Sequence, residues 1–326
     1  MQRMRAAVLR ELGVPHADEF PEPTLDAATA GAGPVGSESG ARAVVDVLAA
    51  GLNPVDVAIC AGKFYAGAPP LPCVAGREGV GLLGDRRVYF DLPLLPFGSM
   101  AERALIDPHS AFDVPDGVPD GVAVALGISG IAAWLALTWR AALAPGEHVL
   151  VLAASGVLGQ IAVQSAKLLG AARVIAAARS RAGLERCLEL GADAVVELDG
   201  GEQLPQALAD AAEGRIDVVV DPLFGAPFLA AVQAASFGAR IVQLGAGAGA
   251  EVTLSSPPLR GKMLVIMGHT NFAAPLEVKR AAYEQMAAHA ASGELTVETE
   301  PFPLEQVEQA WQRLAAGSHS KIVLAP

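Results

Sequence analysis

The stretch Ala153-Ala-Ser-Gly156-Val-Leu-Gly159 carries the most readable chemistry in this chain. It follows an apolar run, His148-Val-Leu-Val-Leu-Ala153, and leads into a segment that sets Leu158, Ile161, Ala162, Ser165, Leu168 and Leu169 on one helical face. A glycine at 156 lets backbone approach a pyrophosphate, and a glycine at 159 lets the helix pack closely on the strand. The helix N-terminus adds free N–H groups and the positive end of its dipole. The first glycine of G-x-G-x-x-G is absent, so the glycines alone are weak. The order strand, turn, amphipathic helix is what separates a dinucleotide site from a merely structural turn. About twenty residues on, NAD sites carry Asp or Glu for the ribose 2′-hydroxyl, but here stand Arg179-Ser180-Arg181. These can give charge-assisted hydrogen bonds to a 2′-phosphate, which predicts NADPH over NADH; two solvated surface arginines are the alternative.

Such a turn needs a parallel sheet to hold it. From about Gly146 short apolar runs alternate with helical patterns: 148–153, 173–178, 192–197, 216–221, 240–245 and 263–267. Six strands predict a complete doubly wound sheet, with Gly170 at the C-cap of the first crossover helix. Upstream, β-like runs over 41–49, 79–83, 87–90 and 102–106 are separated by Pro and Gly and form a β-rich module. Residues 119–142 have helical periodicity and link the two. Helices near 276–291 and 304–315 and a last strand, Lys321-Ile-Val-Leu324, return to the first module. The expected domains are 1–117 with 268–326, and 118–267. Ala27–Gly40, rich in Gly, Ala and Ser, reads as a mobile surface loop without function.

The 326 residues suit two domains, with 52% hydrophobic and 18% charged residues and no apolar run of bilayer length. The N-terminus lacks the apolar stretch of a secretory signal, so a cytoplasmic protein is expected. A net charge of −12 argues against nucleic acid or anionic lipid as the main partner. Cys60, Cys73 and Cys187 are scattered and odd in number, which suggests neither a disulfide framework nor a Cys-rich zinc site.

With these motifs the chain resembles the medium-chain dehydrogenase/reductase superfamily, in its zinc-free quinone oxidoreductase branch. The resemblance rests also on Ala50-Gly-Leu-Asn53-Pro-Val-Asp56, Gly76-Arg77-Glu78-Gly79-Val-Gly81, Gly98-Ser-Met-Ala-Glu102, Leu190-Gly-Ala-Asp193, Val220-Asp-Pro-Leu-Phe-Gly225 and Lys321-Ile-Val-Leu324. It implies an α/β fold, a Rossmann doubly wound parallel sheet plus a GroES-like β-rich domain. Zinc-dependent relatives carry a ligating Cys where this chain has Asn53 and Gly-His-Glu where it has Gly76-Arg77-Glu78, and a four-cysteine structural lobe cannot be built from three cysteines. Without a Lewis acid, the substrate must accept hydride readily, as quinones and alkenes conjugated to a carbonyl do.

Family position makes Asn53, Tyr65 and Arg77 the catalytic candidates, each with a plainer alternative. Asn53 is a donor to a substrate oxygen or a cap beside Pro54. Tyr65 is a donor or acid, or a packed ring. Arg77 binds an anionic group or pairs with a carboxylate. Asp56 reads as a structural acceptor rather than a catalyst. On the cofactor side the resemblance implies Ser155, Gly156, Val157, Leu158 and Gly159 at the pyrophosphate and Arg179 and Ser180 at the 2′-phosphate. Leu244, Gly245 and Ala246, then Gly268, His269, Asn271 and Phe272, follow the fifth and sixth strands, and Lys321 reaches the cofactor too. His269 is either an acid or a locally bonded histidine. The Tyr-x-x-x-Lys pair of short-chain reductases is missing. The connection around Asp85 and Arg86 is a tight turn where relatives have a longer excursion, which reshapes the pocket. An enoyl-thioester reductase and a NADPH-binding sensor or structural protein without turnover are the competing functions. A homodimer through pairing of the sixth strands is expected.

Overall fold

The computed structural model describes residues 2–27 and 40–326; the loop read over Ala27–Gly40 lies, but for its end residues, outside them. In chain order come β1 (Arg3–Leu9), β2 (His16–Pro21), β3 (Ala43–Gly51), α1 (Pro54–Cys60), β4 (Cys73–Val74), β5 (Glu78–Leu83), β6 (Arg86–Asp91), β7 (Arg103–Ile106), β8 (Phe112–Asp113), α2 (Asp120–Ala125) and α3 (Ile131–Leu135). Then follow β9 (His148–Leu152), α4 (Val157–Leu168), β10 (Arg173–Ala178), α5 (Arg181–Glu189), β11 (Ala194–Glu197), α6 (Leu204–Ala211), β12 (Val218–Asp221), α7 (Gly225–Ala234), β13 (Arg240–Gln243), α8 (Ser256–Gly261) and β14 (Val265–Gly268). The chain closes with α9 (Leu276–Ala291), β15 (Thr299–Pro303), α10 (Val307–Ala315) and β16 (Lys321–Ala325).

Two compact units result, Met1–Ser129 with Phe272–Pro326, and Gly130–Asn271. Both joins fall later than the sequence reading of 117/118 and 267/268. The apolar side of α2 packs on β3, β5, β15 and β16, so α2 belongs to the β-rich unit. The chain after β14 stays with the parallel sheet through the His269 N–H, which donates to the Gln243 carbonyl at 2.9 Å.

The α/β unit is a six-stranded sheet in the order β11-β10-β9-β12-β13-β14, every neighbouring pair parallel. It contains all six runs read from the sequence. Val149, Leu150, Val151 and Leu152 are fully buried on both faces of β9, as a central strand between two helical layers requires. The order reverses between β9 and β12, which makes the carboxyl ends of these strands the natural ligand crevice. Gly170 sits just past the C-cap of α4 at φ +86°, where a left-handed residue closes the helix.

In the β-rich unit one sheet runs β15-β16-β3-β5-β6-β8 with β7 also on β3, and a smaller one runs β2-β1-β4. β5 and β6 form a hairpin whose last pair, Leu83 with Arg86, leaves Gly84 and Asp85 as the turn, one residue earlier than the sequence suggested. Gly84 at φ +61° is the first central residue, as a II′-type turn demands. β15 carries Pro301 and Pro303, which its position at the sheet edge tolerates.

The stretch Asp120–Arg140 corrects the expectation of no apolar run of bilayer length: an 18-residue window within its 21 residues has a mean hydropathy of 1.9, and 67% of that window is buried within the protein. It is not one straight helix. Gly127 leaves helical geometry at ψ −116°, and π-type turns occupy Leu126–Gly130 and Ala136–Arg140.

Candidate functional site

Five chain segments of the β-rich unit meet around a buried ion pair in its interior. Glu78 opens β5 and Lys321 opens β16, and their side chains are 0% and 1% exposed. The Lys321 amine donates to Glu78 Oε1 and to Asn53 Oδ1, both at 2.6 Å. The Asn53 amide donates to Glu78 Oε1 at 2.8 Å and to Asp56 Oδ2 at 3.2 Å. Glu78 Oε2 accepts from the Tyr89 hydroxyl at 2.9 Å and from the Ile128 N–H at 2.6 Å. Every oxygen of Glu78 is thereby satisfied, the condition under which a buried ion pair is tolerable. Close approach requires glycine twice. A Cβ at Gly51 would lie 2.5 Å from Val124 and 2.6 Å from Glu78 Oε1, and one at Gly127 would run into Tyr89 and Glu78.

Of the two alternatives left open for Asn53, the geometry fills the cap. Asn53 precedes α1, Pro54 is its first residue, and Asp56 Oδ2 accepts from the Asn53 backbone N–H at 2.8 Å. With both amide hydrogens engaged and 2% exposure, the Asn53 side chain is a hub of internal bonds. Asp56 is 1% exposed, and its Oδ1 has no hydrogen-bond partner. Burial, then the Glu78 charge, pushes its carboxyl up to about 6.

Arg77 precedes Glu78 by one residue. It makes no ion pair among the described residues, and its Nε is buried without an acceptor. Burial lowers its guanidinium below the ordinary value, against the opposing charges of Asp56 and Asp91. A small cavity beside it is lined by Asp56, Cys60, Cys73 and Leu95 among others. Burial pushes the Cys60 thiol up to about 12 and the Cys73 thiol to about 11, so neither is a nucleophile at neutral pH. Tyr65 is 72% exposed, with its ring 4.2 Å from that of Phe64, which meets Phe272 edge-on at 5.6 Å.

In the α/β unit the two glycines after β9 have different causes. A Cβ at Gly159 would lie 2.5 Å from the Ala153 carbonyl and from Ala154 Cα, so the fold itself demands glycine there. At Gly156 a Cβ would meet only the Ala153 carbonyl, at 3.6 Å, an ordinary contact. Nothing within the chain excludes a side chain at Gly156, and the bare backbone it leaves at the start of α4 fits a pyrophosphate. Ala153 takes φ +51°, the left-handed region where glycine costs nothing and alanine costs about 1 kcal/mol.

Arg179 ends β10 exposed, and Ser180 caps α5, its Oγ accepting from the Gly183 N–H at 3.2 Å. Gly245 lies so close to Pro222 that a Cβ would approach its carbonyl to 2.8 Å, and the Gln243 amide donates to the Gly245 carbonyl. His269 Nε2 bonds Asn271 Oδ1 at 3.0 Å, and its Nδ1 is buried without a partner. Burial holds this imidazole below its usual value, so at neutral pH it is uncharged and Nδ1 is an acceptor. Lys321 belongs to the β-rich unit, its amine bound to Glu78 and Asn53. Among the described residues no three His, Cys, Asp or Glu side chains are grouped to hold a metal ion.

The family described as zinc-binding dehydrogenase matches residues 157–291. Quinone oxidoreductase-like protein 2 of Rattus norvegicus is 31% identical over 236 residues, 69% of this chain and 66% of that protein. The chain thus spans slightly under two thirds of the length of that relative. Quinone oxidoreductase of Homo sapiens is 27% identical over 291 residues, 85% of this chain and 86% of its own. The quinone oxidoreductase of Thermus thermophilus, described with its NADPH complex, superposes with a TM-score of 0.79 at 29% identity over 99% of this chain and 100% of that one. The chain belongs to the medium-chain dehydrogenase/reductase superfamily, in its quinone oxidoreductase branch. Its sheets are accordingly a Rossmann sheet and a GroES-like β-rich unit.

Glu78 was not singled out by sequence as a site residue, although a carboxylate opening the apolar run Gly79-Val-Gly-Leu and a lysine opening Ile322-Val-Leu are the signal of a buried pair.

Two outcomes follow from this geometry. Ala153→Gly relieves the left-handed alanine and is expected to raise stability by up to about 1 kcal/mol, read as a higher denaturant midpoint. Asp56 has a folded pKa above its unfolded value, so the native state holds its proton longer and stability falls as pH rises from about 4 to about 6. Asp56→Asn is expected to flatten that fall; an equal slope in both proteins, measured by urea unfolding across this window, removes Asp56 as its source.

Proposed function

We propose that this chain is an NADPH-dependent oxidoreductase that reduces quinones or α,β-unsaturated carbonyl compounds by hydride transfer without zinc. The observation that carries the reading is the contrast between Gly159, which the fold demands, and Gly156, which it does not, at the start of α4. Ser155, Gly156, Val157, Leu158 and Gly159 would hold the pyrophosphate on backbone N–H groups. Arg179 and Ser180 would hold the 2′-phosphate, Arg179 being exposed and Ser180 starting α5. Leu244, Gly245, Ala246, Gly268, His269 and Asn271 would line the carboxyl ends of β13 and β14. A nicotinamide cofactor held there supplies the hydride.

On the acceptor side stand the exposed Tyr65 and the Arg77 guanidinium, and Asn53 and Lys321 hold the buried network in place. The donor set supports zinc-free chemistry. The Asn53 amide oxygen is taken by Lys321, and the Arg77 guanidinium has no lone pair to give a metal. The relatives named above support the quinone class. Three free, buried cysteines suit a reducing, cytoplasmic compartment. Val265 and Ile266 are exposed on the edge strand β14, which supports a homodimer by strand pairing.

Oxidation of NADPH by a small quinone, an enone and an enoyl thioester, with and without chelator, tests the reading. Turnover of the first two that survives chelation is expected. Tight NADPH binding without oxidation by any acceptor would instead show a sensor or structural protein. Arg179→Ala is expected to raise the KM for NADPH relative to that for NADH by about tenfold, the worth of one charge-assisted hydrogen bond. A monomer in light scattering would refute the strand-paired dimer.

A further inference from the structure

Every arginine of the β-rich unit but one has a partner among the described residues. Arg3, Arg5, Arg10, Arg86, Arg87, Arg103 and Arg313 pair with carboxylates. Arg42 and Arg280 donate to backbone carbonyls. Arg77 alone does neither, although its burial is deep enough to lower its affinity for its own proton. Only its Nε is a buried donor without an acceptor, which leaves the two terminal nitrogens open to solvent. A desolvated guanidinium with free terminal donors fits an oxyanion bidentately.

Its surroundings are balanced for such a guest. Arg77, Lys279 and Lys321 face Asp56, Asp91 and Glu78. Lys279 is bonded to Asp91 at 2.8 Å and Lys321 to Glu78 at 2.6 Å, which leaves Arg77 and Asp56 as the cation and the anion of the set without an ion pair. Asp56 and Arg77 border the same small cavity, and the other titratable groups there, the Cys60 and Cys73 thiols, stay neutral.

Resting on the reading that this unit receives the acceptor, we infer that Arg77 selects an acceptor whose conjugated alkene carries a carboxylate at the end away from the carbonyl, and that this anion binds together with a proton taken up by Asp56. The carboxylate accepts from the terminal nitrogens of Arg77, and protonation of Asp56 Oδ1 keeps the charge of the set unchanged. The Asp56 carboxyl titrates at about 6, so the anion binds more tightly below that pH and more weakly above it.

Binding can be read without turnover by calorimetry with 4-oxopentanoate and its neutral counterpart pentan-2-one, neither of which has the conjugated alkene. The carboxylate is expected to bind at least about tenfold more tightly at pH 5.5, proton uptake should show as a buffer-dependent heat near pH 7, where Asp56 of the free protein is mostly ionised, and the advantage should shrink by pH 8. Arg77→Gln should bring the two affinities to within about twofold of each other, and Arg77→Lys should keep part of the preference. Equal affinities in the unaltered chain, or a preference that survives Arg77→Gln in a protein with an unchanged unfolding midpoint, would overturn the inference. Turnover separates it from the reading beneath it. If 4-oxopent-2-enoate, pent-3-en-2-one and a small quinone all fail to oxidise NADPH while the carboxylate preference stands, the oxidoreductase reading falls and the anion site remains.

Discussion

Taking the Glu78 carboxylate and the Lys321 amine out of water costs several kcal/mol per ion, and only dense hydrogen bonding returns it. The β-rich unit is arranged around that requirement. Glu78 comes from β5, Lys321 from the end of the chain, Asn53 from the start of α1, Tyr89 from β6 and the Ile128 N–H from the turn after α2. Removing any one leaves a buried charge or polar group unmet, so the pair acts as a clasp joining the N-terminal residues to the returning C-terminal strand. The two glycines beside it, Gly51 and Gly127, belong to the same constraint, since backbone must come within contact distance of Glu78. The departure of Gly127 from helical geometry then has a use: it delivers the Ile128 N–H to a carboxylate that needs a donor.

The clasp also shows what a sequence displays and what it conceals. Parallel strands announce themselves because each is a short, fully apolar run between helical patterns, and all six lie in the sheet where the alternation placed them. The hairpin β1–β2 and the edge strand β15 are hidden for opposite reasons. β2 is nearly all exposed and polar in pattern, and β15 holds two prolines that deny it any strand propensity. The domain joins fall later than composition places them because composition shows that Asp120–Ala125 is helical but not which unit covers its apolar side. At the site, Asn53 and Arg77 could be named as the residues standing in for metal ligands. That Asn53 gives its amide hydrogens to Asp56 and Glu78 and its oxygen to Lys321, distant in sequence, is a partnership that spacing cannot show.

The cofactor turn separates fold from function at the level of single Cβ atoms. Gly159 is glycine because α4 lies on the backbone of Ala153 and Ala154, and any chain with this crossover would need it. The missing first glycine of the fingerprint falls at Ala154, which has no left-handed φ, whereas Ala153 before it takes φ +51°. A pattern search counts glycines and discounts this turn, although strand, turn and helix follow one another in the order a dinucleotide site needs.

An arginine at position 77 would be costly if it simply replaced a neutral group, because a desolvated guanidinium beside another cation repels it. Here two cations are already present, and both are bonded to their own carboxylates. Asp56 therefore has a double office. One oxygen receives the Asn53 N–H that starts α1, and the other, unbonded, offsets Arg77 across a small cavity. A carboxylate held this way is near the edge of ionisation, since burial and Glu78 push its proton on while Lys321 and the Asn53 bonds push it off. Its charge consequently depends on what stands opposite Arg77. The clasp fixes Asn53, Asn53 fixes Asp56, and Asp56 sets how much free charge Arg77 presents, so a structural ion pair reaches, through covalent and hydrogen-bonded neighbours, the one guanidinium without a partner among the described residues of this unit.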